Sequence, residues 1–302
     1  MRAVVLPEYG PPSALQLQTV PDPKPAADQI AVRVAGASIN PIDWKQRSGA
    51  LRQYFPLKLP AILGRDVSGT VSAVGPGVTA FAIGDRVLGR VPGGGYAEIA
   101  VGPVSGWARV PEKLDLADAG ALPLVLLTGA QLAEEAVDAR AGETILVTGA
   151  SGSVGRVAVF AAKARGAKVW AGVRGKYRSE AVQLAADGVV ALDDDAEIAK
   201  LPALDGIANT IFGDAIQKLL GKLKPGGKIG SVAGEPPGAK ERGFAVRSIN
   251  THDDAKRLGV LAEAVADGKL VVPIAKRFPL AEAGAAHELA ESGARGKVLL
   301  VP

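Results

Sequence analysis

The stretch Thr148-Gly149-Ala150-Ser151-Gly152-Ser153-Val154-Gly155 decides the fold. It lies between an apolar, β-branched run, Thr144–Thr148, and a segment of helical character, Ser153–Arg165. A second strand-like run follows at Lys168–Val173. A strand that breaks at glycines and re-enters a helix brings free backbone N–H groups and the positive end of a helix dipole to one point. Such a point is a seat for phosphate. Gly152 lets the backbone approach a pyrophosphate, and Gly155 lets the helix pack close to the strand. So flanked, the turn is expected to bind a dinucleotide through Ala150, Ser151, Gly152, Ser153, Val154 and Gly155.

The pattern continues outward from this turn. A helix is expected over about 178–186, a strand at Val189–Leu192, a strand at Gly206–Ile211, a helix at 214–223 and a strand at Gly227–Val232. Strictly alternating strands and helices build a doubly wound parallel sheet. Upstream, Asp115–Ala139 is Ala- and Leu-rich and reads as helical. The first 110 residues instead carry short alternating runs (Gln29–Val34, Val67–Val74, Arg86–Val91). These are punctuated by Gly75-Pro76-Gly77, Gly84-Asp85 and Pro92-Gly93-Gly94-Gly95. That texture belongs to a compact barrel or sandwich. From about His252 to the end, two helices and two strands exceed what the parallel sheet needs and are free to complete the first domain. Asp193-Asp194-Asp195 reads as a solvated turn after a strand.

The residues after the second strand speak to the nucleotide. An acid at this place would hold a ribose 2′-hydroxyl. The chain has Arg174-Gly175-Lys176-Tyr177-Arg178 instead, beginning 19 residues after Gly155. Arg174, Lys176 and Arg178, with Tyr177 among them, offer charge-assisted hydrogen bonds to a 2′-phosphate, so NADPH is expected over NADH. Val232, Ala233 and Gly234, at the carboxyl end of a strand, are expected to meet the nicotinamide carboxamide with backbone atoms.

Composition limits the chemistry. Of 302 residues, 48% are hydrophobic and 22% charged, as in a globular enzyme. There is no Cys, which excludes disulfides, thiolate catalysis and zinc sites with Cys ligands. Two His, at 252 and 287, exclude a poly-His metal site. The +4 charge is dispersed, with no basic run longer than two residues, which argues against nucleic acid as a partner. No apolar run of about 18 residues is present and the start does not read as a signal peptide, so a cytoplasmic location without membrane contact is expected.

Further motifs carry a family resemblance. They are Ala37-Ser38-Ile39-Asn40-Pro41-Ile42-Asp43-Trp44-Lys45, Gly64-Arg65-Asp66-Val67-Ser68-Gly69, Gly84-Asp85-Arg86-Val87, Gly94-Gly95-Tyr96-Ala97-Glu98 and Gly296-Lys297-Val298, together with the glycine turn. The chain resembles the medium-chain dehydrogenase/reductase superfamily, in its zinc-independent quinone oxidoreductase and enone reductase branch. The resemblance implies a GroES-like barrel (1–118 and 249–302) interrupted by a Rossmann domain (119–248). It also implies a homodimer, for which Gly243–Ile249 is the candidate edge. Zinc-dependent relatives carry Cys where Asn40 stands and His where Arg65 stands. Lys45 occupies the place where quinone oxidoreductases often have Tyr, which brings in α,β-unsaturated carbonyls beside quinones as substrates. Thr128 lies where the family has a residue near the nicotinamide.

Hydride transfer to an electron-poor carbon leaves negative charge on the acceptor oxygen, and without a metal a placed donor must stabilise it. Asn40 and Lys45 are expected to supply that donor, with Tyr54 as a pocket wall or proton donor. The Tyr-x-x-x-Lys pair of short-chain dehydrogenases occurs only at Tyr54 and Lys58, before the turn and interrupted by Pro56, which rejects that class. A non-enzymatic NADPH-binding sensor or structural protein is the rival reading. It needs the phosphate seat but neither Asn40 nor Lys45.

Overall fold

The computed structural model describes residues 1–213 and 215–302. The chain divides into two compact units: Met1–Leu124 with Asp253–Pro302, and Val125–His252. Both borders lie four to six residues later than the expected ones. The reason for the first is local. The segment Asp118–Ala121 is a 3₁₀ turn packed beneath two barrel strands, held by Ser68 Oγ donating to the Leu116 carbonyl.

The first unit holds β1 (Arg2–Leu6), β2 (Gln16–Thr19), β3 (Gln29–Ile39), α1 (Pro41–Arg47), β4 (Ala61–Ile62), β5 (Asp66–Val74), β6 (Arg86–Arg90), β7 (Ile99–Pro103) and β8 (Trp107–Arg109). The helix α2 (Pro123–Gln131) begins in the first unit and runs on into the second, where Leu132–Ala136 widens to π-helical bonding. A single helix over 115–139 does not form, because Pro123 lacks the N–H that would continue it and instead opens α2.

The second unit adds β9 (Thr144–Thr148), α3 (Ser153–Ala164), β10 (Lys168–Val173), α4 (Arg178–Ala181), β11 (Gly188–Ala191), α5 (Asp195–Ala199), β12 (Leu204–Asn209), α6 (Ala215–Leu220), β13 (Leu223–Ser231) and β14 (Ala245–Ser248). The expected start of α6, Asp214, lies outside the described residues. The six strands form one all-parallel sheet in the order β11-β10-β9-β12-β13-β14. Counted within the unit this is 3-2-1-4-5-6, the Rossmann order. Ile145, Leu146 and Val147 are buried, as a central parallel strand covered on both faces requires. The helix α3 ends where Gly166 takes a left-handed conformation (φ 80°).

The chain then returns through α7 (Ala255–Ala266), β15 (Ile274–Pro279), α8 (Ala283–Glu291) and β16 (Lys297–Val301). β16 pairs antiparallel with β3 and parallel with β15, closing the seven-stranded sheet of the first unit. The first unit is therefore a GroES-like barrel and the second a Rossmann domain. The barrel core gathers Leu6, Ile30, Val32, Val67, Val87, Tyr96, Trp107 and Leu300.

Candidate functional site

Two groupings of polar residues stand out, one in each unit. In the Rossmann unit, β9 delivers the chain into the glycine turn and Gly152 caps α3 without any side-chain cap. The N–H groups of the first helical turn thus remain available for an anion. A Cβ on Gly155 would lie 2.2 Å from the Gly149 carbonyl oxygen, so only glycine lets the helix approach so closely. Ala150 is buried and donates its N–H to the Gly172 carbonyl. The Ser151 carbonyl accepts from Arg156 Nε, which stiffens the turn from the helix side.

The cationic loop is only partly as expected. Arg174 is exposed at the end of β10. Lys176 lies over the Tyr177 ring at 5.0 Å. Arg178, however, is paired with the carboxylate of Glu197, which reaches back from α5 and also accepts the Ala191 N–H. One nitrogen of the Arg178 guanidinium, Nη2, is thus already engaged by a carboxylate. The acidic triplet is likewise more than a solvated turn. Asp194 caps α5, and Asp193 accepts the N–H of Gly175 at 2.7 Å.

Val232, Ala233 and Gly234 follow β13, one strand beyond β12, at the same end of the sheet as the turn. Two of their N–H groups are occupied: Val232 N donates to the Asn209 carbonyl and Ala233 N to Ser231 Oγ. Thr128, 8% exposed, shares a 2.7 Å hydrogen bond with Thr251.

In the barrel unit, Asn40 is 1% exposed and its side chain is fully engaged. Its amide nitrogen donates to Asp66 Oδ2 at 2.9 Å and more weakly to Ser38 Oγ, and its oxygen accepts from Lys297 Nζ. The expected direct donor to an acceptor oxygen is therefore corrected: Asn40 has no N–H to spare. Its backbone N–H is taken by Asp43 Oδ2, which starts α1 behind Pro41. Lys45 is half-buried on α1, whereas Tyr54 is 75% exposed on the following loop.

This cluster is electrostatically unusual. Burial pushes the Asp43 carboxyl up to about 7, with nearby Asp66 adding to the rise. Burial also lowers Lys297, although Asp66 and Asp43 favour its charge. Tyr96 is pushed well above the ordinary phenol range by burial, then by Asp43. His287 accepts from Arg47 at Nδ1, 3.1 Å, and burial pulls it down to about 3. Lys297 had no assigned role in the sequence, although it stands in the quoted Gly296-Lys297-Val298, and Asp66, which the sequence offers as a partner of Arg65 or of the barrel wall, bonds Ser38 and Asn40 instead. A charge heading the apolar run Val298-Leu299-Leu300-Val301 was the available signal.

The cluster does not fit a bound zinc ion. The buried Lys297 amine already occupies the Asn40 side-chain oxygen, and no three His, Cys, Asp or Glu side chains gather as a metal site among the described residues.

Comparison with known proteins agrees with the architecture. Residues 26–112 match the alcohol dehydrogenase GroES-like domain, and 184–300 match the zinc-binding dehydrogenase domain. The quinone oxidoreductase of Rattus norvegicus is 30% identical, covering 100% of this chain and 98% of the relative. The solved quinone oxidoreductase of Coxiella burnetii superposes with a TM-score of 0.90 at 29% identity, covering 100% of this chain and 99% of the other. The Escherichia coli quinone oxidoreductase, solved in complex with NADPH, gives 0.85 at 27%, with both chains fully covered. Fold and relatives together define an oxidoreductase of the alcohol-dehydrogenase-like, two-domain class. The chain belongs to the quinone oxidoreductase branch of the medium-chain dehydrogenase/reductase family.

Proposed function

We propose that the protein is an NADPH-dependent oxidoreductase that reduces a quinone or an α,β-unsaturated carbonyl without zinc. The observation that carries the reading is the Thr148–Gly155 turn, with its close glycine contact and uncapped helix start. A bound nicotinamide coenzyme supplies the hydride. The turn holds the pyrophosphate, and Arg174 with Lys176 holds the 2′-phosphate. Val232 and Ala233, having spent their N–H groups, offer carbonyl oxygens to the amide end of the carboxamide. Lys45 stabilises the charge that develops on the acceptor oxygen. Asn40, locked from behind by Lys297 and Asp66, positions the start of α1 rather than touching the acceptor. The NADPH complex of the Escherichia coli relative supports the coenzyme assignment.

Calorimetric titration with NADPH and NADH tests the coenzyme. One charge-assisted hydrogen bond contributes about 2 kcal/mol, so Arg174→Ala is expected to weaken NADPH roughly 10- to 30-fold and to leave NADH nearly unchanged. Tighter binding of NADH by the natural chain would refute the phosphate assignment. Loss of absorbance at 340 nm with a panel of quinones and enones tests the reaction. Lys45→Met should cut turnover at least tenfold with NADPH affinity intact. A homodimer paired through β14, whose outer edge has no partner strand among the described residues, completes the proposal.

A further inference from the structure

The carboxyl ends of β9, β12 and β13 are adjacent in the sheet, and a single buried amide ties them together. Asn209, 2% exposed, ends β12. Its Oδ1 accepts the Thr148 hydroxyl of β9 at 2.8 Å. Its Nδ2 donates to Ser231 Oγ of β13 at 3.0 Å and to the Ile211 carbonyl at 3.1 Å. The bonds continue into the loops. Thr210 N donates to Thr148 Oγ1 at 2.9 Å, and Thr210 Oγ1 donates to the Thr148 carbonyl at 2.7 Å. Ser231 Oγ accepts the Ala233 N–H at 3.1 Å. Directions are fixed throughout: two donors of the amide face two oxygens, and its one oxygen accepts from the Thr148 hydroxyl and, at 3.4 Å, from the Ile211 N–H.

From this geometry we infer that Asn209, with Thr148, is a positioning residue for the coenzyme seat. The inference rests on the nucleotide reading above. The clasp sets two limbs of the seat at once. On one side it holds Thr210 against Gly149, which sits at φ 60°; a Cβ there would lie 2.4 Å from Thr210 Oγ1. On the other side it consumes the N–H of Ala233 and so fixes which polar atoms the Val232–Gly234 limb presents. A buried network with every member satisfied holds its parts in one arrangement, and affinity for a ligand gains from such pre-organisation. Removing the clasp therefore loosens the seat of a protein that remains folded.

The test measures coenzyme dissociation constants by fluorescence titration, using whichever of NADPH and NADH the natural chain binds more tightly. It is run well below each variant's melting temperature, so that loss of fold does not enter. Thr148→Val and Asn209→Leu are expected to raise the dissociation constant about tenfold, equivalent to about 1.4 kcal/mol. Thr148→Ser, which keeps the hydroxyl, should stay within about threefold. Val190→Ala empties space in β11, elsewhere in the same sheet, and should leave affinity unchanged while lowering the melting temperature. If Asn209→Leu does not fold, the Thr148 pair decides. Natural affinity in Thr148→Val, or an equal loss in Val190→Ala, overturns the clasp. Failure of the natural chain to bind either coenzyme overturns the nucleotide reading itself, before any variant is made.

Discussion

At the scale of single residues, Asp43 and His287 oppose each other in the pH dependence of stability. Asp43 rises from 3.8 to about 7 on folding, so the native state holds a proton that the unfolded chain releases between about pH 4 and 7. Stability from this group falls as pH rises through that window. His287 drops from 6.5 to about 3, so the unfolded chain binds a proton that the native ring refuses. Its contribution rises with pH between about 3 and 6.5 and is complete above. The shifts correspond to roughly 4 and 5 kcal/mol, and over pH 4.5–6.5 the two slopes nearly cancel. Asp43→Asn is expected to unmask the histidine, giving stability that climbs with pH across this range. His287→Gln should unmask the acid, giving stability that falls. Denaturant melts at pH 5, 6, 7 and 8 read both, and parallel flat profiles in the two variants would contradict the assignment. The sequence showed His287 as a lone residue in an Ala-rich helix. Its contacts with Arg47 and Tyr96 come from segments far apart in the chain.

At the scale of elements, the glycine turn joins β9 to α3 at a separation only glycine permits. Gly155→Ala would press a methyl group to within 2.2 Å of the Gly149 carbonyl and 2.8 Å of Ala150 Cα. Backbone must move to relieve this, at a cost of about 1–3 kcal/mol, and the phosphate seat moves with it. The expected outcome is a lower denaturation midpoint together with loss of coenzyme binding. Coenzyme binding unchanged by Gly155→Ala would separate this turn from the nucleotide. The elements β9 and β10 were legible to the residue, because each is a short apolar run bounded by turn residues. The long helix over 115–139 was not, since Pro123 and the 3₁₀ turn before it interrupt a composition that remains helix-like throughout.

At the scale of the whole molecule, β14 leaves one edge of the Rossmann sheet open. Val246, with Phe244 just before the strand, packs toward the core, while Ala245 and Arg247 are exposed. Light scattering at micromolar concentration is expected to give twice the 30.7 kDa chain mass. Ser248→Pro, which removes a backbone donor facing away from β13 on the edge strand, should shift it toward monomer. A monomer in the natural chain would remove the dimer from the proposal.

The sequence by itself determined the strand-turn-helix that seats a phosphate, the alternation that makes the sheet parallel, and the absence of thiol chemistry. All of these depend on neighbours within a few residues, where backbone sterics and side-chain period act. Tertiary structure alone decided that Asn40 is spent, that Arg178 is engaged by Glu197, and that Lys297, Asp66 and Asn209 hold the interior polar networks. Whether a polar atom is free depends on which partner the fold brings within about 3 Å, and hydrogen-bonding capacity is exhausted by contacts between residues distant in the chain.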